Sequence, residues 1–132
     1  MRLFQILILT LLCILLGGCA AFEHGRTYSK VKKQLLVANS GLGEKRLNIE
    51  SRYDPTIKGF LEAAGKPNYI YVESQYKLKL IYLEEGYVAE FDRSIFNTAS
   101  SIEKINGIPE SIMRKINHAK AYPQEEAFSF SD

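Results

Sequence analysis

The N-terminal segment decides which part of this chain is available to fold. Arg2 precedes an apolar run from Leu3 to Leu16, and a glycine pair follows the run. A basic residue, a short apolar core and small residues before a cleavage point are the parts of a secretion signal. A membrane-spanning helix needs about 20 apolar residues, more than this run supplies. We therefore expect residues 1–18 to be removed as a signal peptide, with an uncleaved membrane anchor as the alternative.

Cys19 lies directly after this segment. The sequence Leu16-Gly17-Gly18-Cys19 resembles the lipobox of bacterial lipoproteins, in which the cysteine thiol is diacylated before cleavage on its N-terminal side. The resemblance implies that Cys19 is the lipidation site, carrying acyl chains such as palmitate. Each buried methylene contributes about 0.8 kcal/mol, so two or three chains hold a protein on a membrane almost permanently. Ala20 is not the aspartate that retains lipoproteins at the inner membrane, which implies the outer membrane, with the domain facing the periplasm.

The composition of the mature chain excludes two classes of protein. Cys13 leaves with the signal peptide, so a small domain stabilised by internal disulfides is not expected. Removal of Arg2 leaves 16 Lys and Arg residues against 15 Asp and Glu residues. A nearly neutral chain lacks the basic face that nucleic acids require. We expect no nucleic-acid partner, and the chemistry of the sequence leaves the oligomeric state open.

Three regions follow the signal peptide. Residues 19–27 show little apolar periodicity, which indicates a lipidated cysteine followed by a tether. Residues 28–121 contain the regular apolar patterns and form one α+β domain. Residues 122–132 contain a proline, two glutamates and alternating Phe and Ser, a pattern that predicts a flexible tail without a packed element.

Apolar spacing predicts two helices in the first half of this domain. The first covers Tyr28–Ala38 and ends at Asn39-Ser40-Gly41, because either Gly41 or Gly43 accommodates the backbone that stops a helix. The second covers Pro55–Ala64, with Asp54 as its cap and a Gly-Lys-Pro sequence after it. The segment Arg46–Tyr53 between them is either a short strand or an extended connection.

After Pro67 the apolar period changes to two, and tyrosine and β-branched residues become frequent. Three strands are predicted, at Tyr69–Glu73, Tyr76–Leu83 and Tyr87–Phe91. The short turns between them join the strands into an antiparallel meander. One face of this sheet is expected to pack on the helices, and the other is expected to be largely solvated.

The Pro55–Ala64 helix supplies a more detailed expectation about the core. Its apolar face includes Phe60 and Leu61, and the second strand presents Leu78 and Leu80 on one face. Because each element exposes one apolar face, we expect these four side chains to pack together.

The last third of the domain contains two more helix signals. Ser100 and Glu103 match a capping box, which predicts a brief helix at Ser101–Ile105. Pro109 precedes a stripe of apolar residues at helical spacing that ends at Ala119, and predicts a longer helix. The expected fold is α+β, with two or three short helices packed on one face of a small three-stranded antiparallel meander sheet.

The segment Asp54–Asp92 also resembles a known family. Its helix, the break Ala64-Gly65-Lys66-Pro67 and the turn Glu85-Gly86-Tyr87-Val88 are similar to the small outer-membrane lipoproteins of the SmpA/OmlA type. That family has two short helices on a three-stranded sheet and belongs to the β-barrel assembly machinery. The resemblance implies a role in outer-membrane assembly or integrity. Two departures are the missing Gly-Met-Ser or Gly-Met-Thr start of the first helix and a longer distance between the helices.

Few side chains offer catalytic or metal-binding chemistry. His24 lies in the predicted tether and His118 near the end of the last predicted helix, so nothing in the pattern brings them together. The thiol of Cys19 is consumed if it is lipidated. The pairs Glu84-Glu85 and Glu125-Glu126 are adjacent, and neighbours in an extended chain point apart. We therefore predict no catalytic residues, no metal site, no cofactor and no enzymatic activity.

Aromatic and basic residues of the predicted meander are the candidates for partner binding. The candidate residues are Tyr69, Tyr71, Lys77, Lys79 and Tyr87. Tyrosine combines a rigid ring with a hydroxyl group and is enriched in protein interfaces. The preference of tyrosine for strands explains the same residues without any partner, and burial distinguishes the two interpretations.

The sequence predicts a lipid-anchored, non-catalytic binding or scaffold module of the bacterial envelope, with another envelope protein as its partner. One alternative is a small ligand-binding or enzymatic lipoprotein with a pocket between sheet and helices. The other is a plasmid- or phage-borne lipoprotein used in exclusion or immunity. A deep cavity with convergent polar groups favours the first alternative, and a shallow surface bearing tyrosines favours the binding module.

Overall fold

A computed structural model of the chain describes residues 33–94 and 96–130. Within these residues no helix is long and apolar enough to cross a membrane. The predicted signal peptide, lipidation site and tether lie outside the described residues. The described elements, in chain order, are β1 (Gln34–Val37), α1 (Gly41–Tyr53), α2 (Pro55–Ala64), β2 (Tyr69–Val72), β3 (Lys77–Tyr82), β4 (Tyr87–Asp92), β5 (Ser101–Asn106), α3 (Glu110–Lys120) and β6 (Ala127–Ser129).

The strands form one antiparallel sheet of six strands in the order β5-β4-β3-β2-β1-β6. The meander of β2, β3 and β4 agrees with the sequence prediction to within one or two residues at each strand end. The expectation of a three-stranded sheet is wrong, because β5 pairs with β4 on one side and β1 and β6 extend the sheet on the other. The fold remains α+β.

The predicted helix at Tyr28–Ala38 is wrong where the structure describes it. Gln34–Val37 is strand β1, and Leu35 and Leu36 are both buried although they point to opposite faces. A strand that is covered on both faces carries a continuous apolar run, which lacks the alternation typical of a half-buried strand. Residues 28–32 of the predicted helix lie outside the described residues.

The segment Asn39-Ser40-Gly41 begins a helix instead of ending one. The Ser40 side chain accepts a hydrogen bond from the Gly43 N–H at 3.0 Å and caps α1. A Cβ atom at Gly43 would collide with the carbonyl oxygen of Val37, so glycine is required where the helix starts so close to β1. Since α1 includes Arg46–Tyr53, both interpretations of that segment, strand and extended connection, are wrong.

Helix α2 has the bounds and the cap that the sequence predicts. The Asp54 carboxylate accepts a hydrogen bond from the Thr56 N–H at 3.0 Å, and Pro55 occupies the first turn. Gly65 ends the helix with a φ of 83°, a conformation that favours glycine.

One core lies between the sheet and the helices α1 and α2. Ile57 is fully buried there. Phe60 and Leu61 pack against the cluster that contains Leu78 and Leu80, as predicted, but they are half-buried where the sequence predicts burial. The Phe60 ring meets the Phe91 ring edge to face at 5.5 Å between centroids. Aromatic pairs of this geometry add to the stabilisation that burial supplies.

The other face of the sheet is not solvated as expected, because α3 covers much of it. The helix begins after Pro109, as predicted from the sequence. Its buried residues Ile112, Ile116 and Ala119 belong to a second core. The buried strand residues of that core are Leu35, Tyr71, Ile81, Val88 and Phe128.

Two more sequence predictions are wrong near the C-terminus. Ser101–Ile105 lies in strand β5, and the Ser100 N–H donates to Asp54 at 3.1 Å without capping a helix. The predicted absence of a packed element after Tyr122 is wrong at β6, where Phe128 is buried and pairs with Leu35 of β1. A strand of three residues forms through pairing with a partner that is distant in sequence, so its own residues give no strong strand signal.

Replacing Ile57 with Ala is expected to lower the free energy of unfolding by roughly 2 to 5 kcal/mol, because the substitution leaves a cavity under α2. Lys58→Ala is the control at the neighbouring exposed position, where a change within about 0.5 kcal/mol is expected. Urea denaturation of the mature protein in detergent, followed by circular dichroism, measures both. An unchanged midpoint for Ile57→Ala would show that α2 does not stabilise the core.

Candidate functional site

The five residues predicted to bind a partner do not form one surface. Tyr69, Tyr71 and Lys79 lie on the face of the sheet that α3 covers, as the alternation along β2 and β3 requires. Tyr87 lies on the opposite face, where its ring stacks on Tyr82 at 4.9 Å between centroids. Tyr87 therefore belongs to the core under α2 and is separate from the other candidates.

The tyrosines on the α3 face are largely enclosed. Tyr71 is 4% exposed, and the ammonium groups of Lys79 and Lys115 lie 6.0 and 5.5 Å from the centre of its ring. Tyr69 is half-buried, and burial raises the pKa of its hydroxyl group above the ordinary value. Burial thus favours the interpretation that these tyrosines are present because they stabilise the sheet, and not because they bind a partner.

The two lysines lie in a charged strip that consists of Glu73, Lys77, Lys79 and Glu90. The Lys79 ammonium group is 3.1 Å from Glu73 and 3.8 Å from Glu90, and the Lys77 ammonium group is 4.0 Å from Glu90. The Lys77 side chain is 48% exposed, while that of Lys79 is mostly buried. Of the five predicted partner-binding residues, Lys77 is thus the accessible one.

The register of the strands shows which loops share an end of the sheet. Gln34, at the start of β1, lies in one row with Val72, Leu78, Phe91 and Ile102 across the neighbouring strands. The chain therefore enters the sheet at the same end as the β2–β3 turn and the β4–β5 loop. We call this end the entry end.

The β4–β5 loop, residues 93–100, is fastened at its start to α1. The Arg93 guanidinium donates to the Glu50 carboxylate at 2.9 Å, and Arg46 lies 3.0 Å from the other oxygen of the same carboxylate. Glu50 is fully buried. A buried carboxylate is stable only when paired charges and hydrogen bonds replace its lost hydration, and the two arginines supply them.

The loop is fastened at its other end to the start of α2. One oxygen of the Asp54 carboxylate accepts from the backbone N–H groups of Thr56 and Ser100, at 3.0 and 3.1 Å. Asp54 is also fully buried. The same carboxylate therefore caps a helix and holds the residue before β5.

Between these two attachments the loop exposes an aromatic ring. Phe96 is 94% exposed, the most exposed of the large apolar side chains in the described part of the chain. Tyr53 and Ile102, which are 47% and 43% exposed, lie at the same end of the sheet. The sequence from Ser94 to Ser100 contains no charged residue. The sequence of the loop is therefore uncharged between Arg93 and β5, whereas the charged residues Glu73, Lys77 and Asp92 lie at the same end of the sheet.

The sequence interpretation did not identify Phe96 as a candidate. The signal that was available is an aromatic residue within an uncharged run of mostly small residues. A loop of that composition has few large side chains against which an aromatic ring packs. No feature of the sequence indicated that Glu50 is buried, because an acidic residue in a helix ordinarily lies on the solvated face.

Grooves on the outer side of α1 and α2 are open to solvent. One of about 900 Å³ is lined by Asn48, Arg52, Lys58, Leu61 and Glu62, among others. A smaller groove is bounded in part by Glu44 and Lys66, which form an ion pair of 2.8 Å. Small-molecule sites are usually enclosed and mostly apolar, so these grooves do not favour the ligand-binding alternative.

Potential metal ligands are dispersed over the described residues, where no group of three or more His, Cys, Asp or Glu side chains is arranged to hold an ion. His118 packs beside Tyr122, Phe128 and Phe130, with ring centroids 5.3 to 6.0 Å apart. It belongs to the surroundings of the second core. His24 lies outside the described residues.

Comparisons with protein-family models, with curated protein sequences and with solved structures find no match to this chain.

Replacing Glu50 with Gln is expected to cost roughly 3 to 5 kcal/mol of folding free energy, because two arginines then lose the carboxylate that neutralises them. The control is Glu44→Gln, which breaks the exposed ion pair with Lys66. Its hydrogen bond to Lys66 lowers the pKa of Glu44, but its stability effect is expected to be within error. Urea midpoints measure both variants, and equal midpoints would contradict the importance of the Glu50 attachment.

Proposed function

We propose that this protein is a lipid-anchored, non-catalytic binding or scaffold module of the bacterial envelope, held on the outer membrane through Cys19 and facing the periplasm. The observation that carries the proposal is the sequence Leu16-Gly17-Gly18-Cys19 at the end of a short apolar run with a basic start. A role in outer-membrane assembly or integrity is suggested by the sequence of Asp54–Asp92 alone, which resembles the SmpA/OmlA lipoproteins.

The geometry of the folded part supports a binding module in two ways. The sheet carries helices on both faces, an arrangement that gives a small domain a rigid framework. Its described grooves are open to solvent, which suits contacts with a macromolecule better than the capture of a small ligand.

The charged strip is the partner surface that this proposal uses. Its two lysines and two glutamates pair with each other, so the strip carries no net charge. A partner would recognise the positions of the individual charges. Exposed charges contribute to specificity and association rate more than to affinity. Lys77 is the residue of the strip that is accessible enough to exchange its intramolecular pair for a partner's carboxylate.

Replacing Cys19 with Ser is expected to abolish incorporation of a fatty-acid probe and to leave an uncleaved or soluble precursor, because the hydroxyl group does not take the place of the acylated thiol. The control is Cys13→Ser, which removes the other cysteine, within the predicted signal peptide, and leaves the Leu-Gly-Gly-Cys sequence intact. Metabolic labelling followed by gel electrophoresis is the measurement. Equal labelling of the Cys19→Ser variant and the wild type would refute the anchor.

Reversing the charge at Lys77 with Lys77→Glu is expected to weaken partner recovery while the stability changes by no more than about 0.5 kcal/mol, since the position is exposed. Lys79→Glu is unsuitable for this test, because it places a third carboxylate between Glu73 and Glu90. The matched control is Lys58→Glu, an exposed lysine on the opposite side of the sheet. Crosslinking in cells, followed by purification and mass spectrometry, compares the variants. Identical recovery by all of them would refute the role of the strip.

A further inference from the structure

We propose that β5 is a docking edge, to which an extended segment of a partner protein adds as a further antiparallel strand, with a Lys or Arg side chain opposite Glu103. The inference rests on the proposed binding-module function and specifies the chemistry of the partner. It extends the partner surface from the charged strip, at Glu90, to the neighbouring edge of the sheet.

The first argument is that β5 is an uncovered edge strand. It is the outermost strand on its side of the sheet and pairs with β4 through six consecutive residues, without a bulge, a proline or a glycine. All of its residues are exposed except Ile105, which is partly buried. The other edge strand, β6, has only three residues. Proteins ordinarily protect their edge strands by shortening, bulges, prolines or a covering element, and within the described residues β5 has none of these.

The hydrogen-bond pattern shows which backbone groups of β5 are available. The Gly107 N–H donates to the Gly86 carbonyl oxygen at 2.9 Å, in continuation of the β4–β5 register. Successive residues of an antiparallel edge strand direct their backbone groups alternately towards the neighbouring strand and away from it. The odd-numbered residues of β5 therefore bond to β4, and the N–H and C=O groups that point outward belong to Ile102, Lys104 and Asn106. No hydrogen-bond partner of these outward groups lies in the part of the chain that the structure describes.

The lysine of this strand does not block the edge. A lysine on an edge strand ordinarily discourages pairing with another chain. The ammonium group of Lys104 lies 4.1 Å from the centre of the Tyr87 ring on β4, so the side chain extends back over the sheet. The outward backbone groups of β5 thus remain accessible to an extended segment.

The charges across the sheet determine which segment fits. Glu103 lies directly opposite Glu90 in the β4–β5 register, and like charges in that position destabilise a sheet. The cations that pair with Glu90 are Lys77 and Lys79, on the strand beyond β4. Asp92 adds another carboxylate to the same face of β4. Glu103 has no ion pair with any of the described residues. A basic side chain opposite Glu103 supplies the cation that this edge lacks.

Ile105 specifies a second position of the partner. It lies two residues from Glu103 on the same face of the strand. A partner residue two positions before the basic one therefore meets Ile105 in an antiparallel pair, and an aliphatic side chain there covers its exposed surface. The expected pattern of the partner segment is an aliphatic residue, any residue and then Lys or Arg.

The charges disfavour a second copy of this chain as the occupant. A two-fold axis between two antiparallel edges retains the faces of the sheet, so each residue pairs with a residue of the same face. The two registers with the longest overlap then place either Glu103 or Lys104 opposite the same residue of the second copy. Since like charges directly opposite each other are destabilising, a different protein fits this edge better.

The probe that tests the edge is the synthetic peptide Thr-Val-Thr-Lys-Thr-Ser-Thr with blocked ends. In antiparallel register its lysine lies opposite Glu103 and its valine opposite Ile105. A matched peptide has Glu in place of the lysine. Two further peptides carry N-methyl groups, either on the threonines that flank the lysine, whose N–H groups face β5, or on the lysine itself, whose N–H group points away. Each peptide is added to the isotope-labelled full-length lipoprotein in detergent, and amide hydrogen exchange is followed by NMR.

We expect the lysine peptide to slow amide exchange at Ile102 and Lys104 and to leave Glu103 unchanged, because the Glu103 N–H already bonds to β4. The glutamate peptide is expected to bind about fivefold more weakly. Glu103→Lys is expected to reverse the preference between the two peptides, whereas Glu84→Lys, at an exposed position in the β3–β4 turn, keeps it. N-methylation of the two threonines is expected to abolish binding, and N-methylation of the lysine is not.

Unchanged exchange at Ile102 and Lys104, equal binding of the lysine and glutamate peptides, or equal effects of the two N-methylation patterns would overturn the proposal. A dimer in detergent that Glu103→Lys dissociates would also overturn it, because the occupant would then be a second copy. Crosslinking in cells separates the docking edge from the proposed function. If Lys77→Glu reduces partner recovery and Glu103→Lys does not, the binding module stands and the docking edge is refuted. If no partner is recovered by the wild type, the binding module fails, and the peptides still report on the edge.

Discussion

The arrangement of this domain depends on two buried carboxylates at the entry end. Glu50 and Asp54 are one helical turn apart at the junction of α1 and α2, and they bind Arg93 and Ser100, more than forty residues later in the sequence. Burying a charge costs several kcal/mol before its partners compensate for it. The compensation is obtained only when the helices and the β4–β5 loop are correctly placed, so these contacts select one arrangement of helices, loop and edge strand.

The second constraint is that the sheet is completed by the two ends of the described chain. β1 lies between β2 and β6, and Leu35 pairs with Phe128 across that junction. Both residues belong to the core under α3. The helix that covers this face therefore packs partly on β1 and β6, two strands whose pairing partners are distant in sequence. Contacts of such large sequence separation make the fold cooperative.

Local signals in the sequence predict those elements that are stabilised locally. Asp54-Pro55 and Gly65 define α2, the turn at Glu85-Gly86 defines the β3–β4 hairpin, and Pro109 defines the start of α3. The predictions were wrong for β1, β5 and β6, which are strands whose character comes from distant partners. They were also wrong for α1, because the segment that caps its start was interpreted as the end of a preceding helix. The candidate site failed for the same reason, because Tyr71 and Tyr87 are ordinary strand tyrosines until α3 and α2 cover them. The sequence did not predict Phe96 as an exposed site residue, because the contacts that hold the two ends of its loop come from residues distant in sequence.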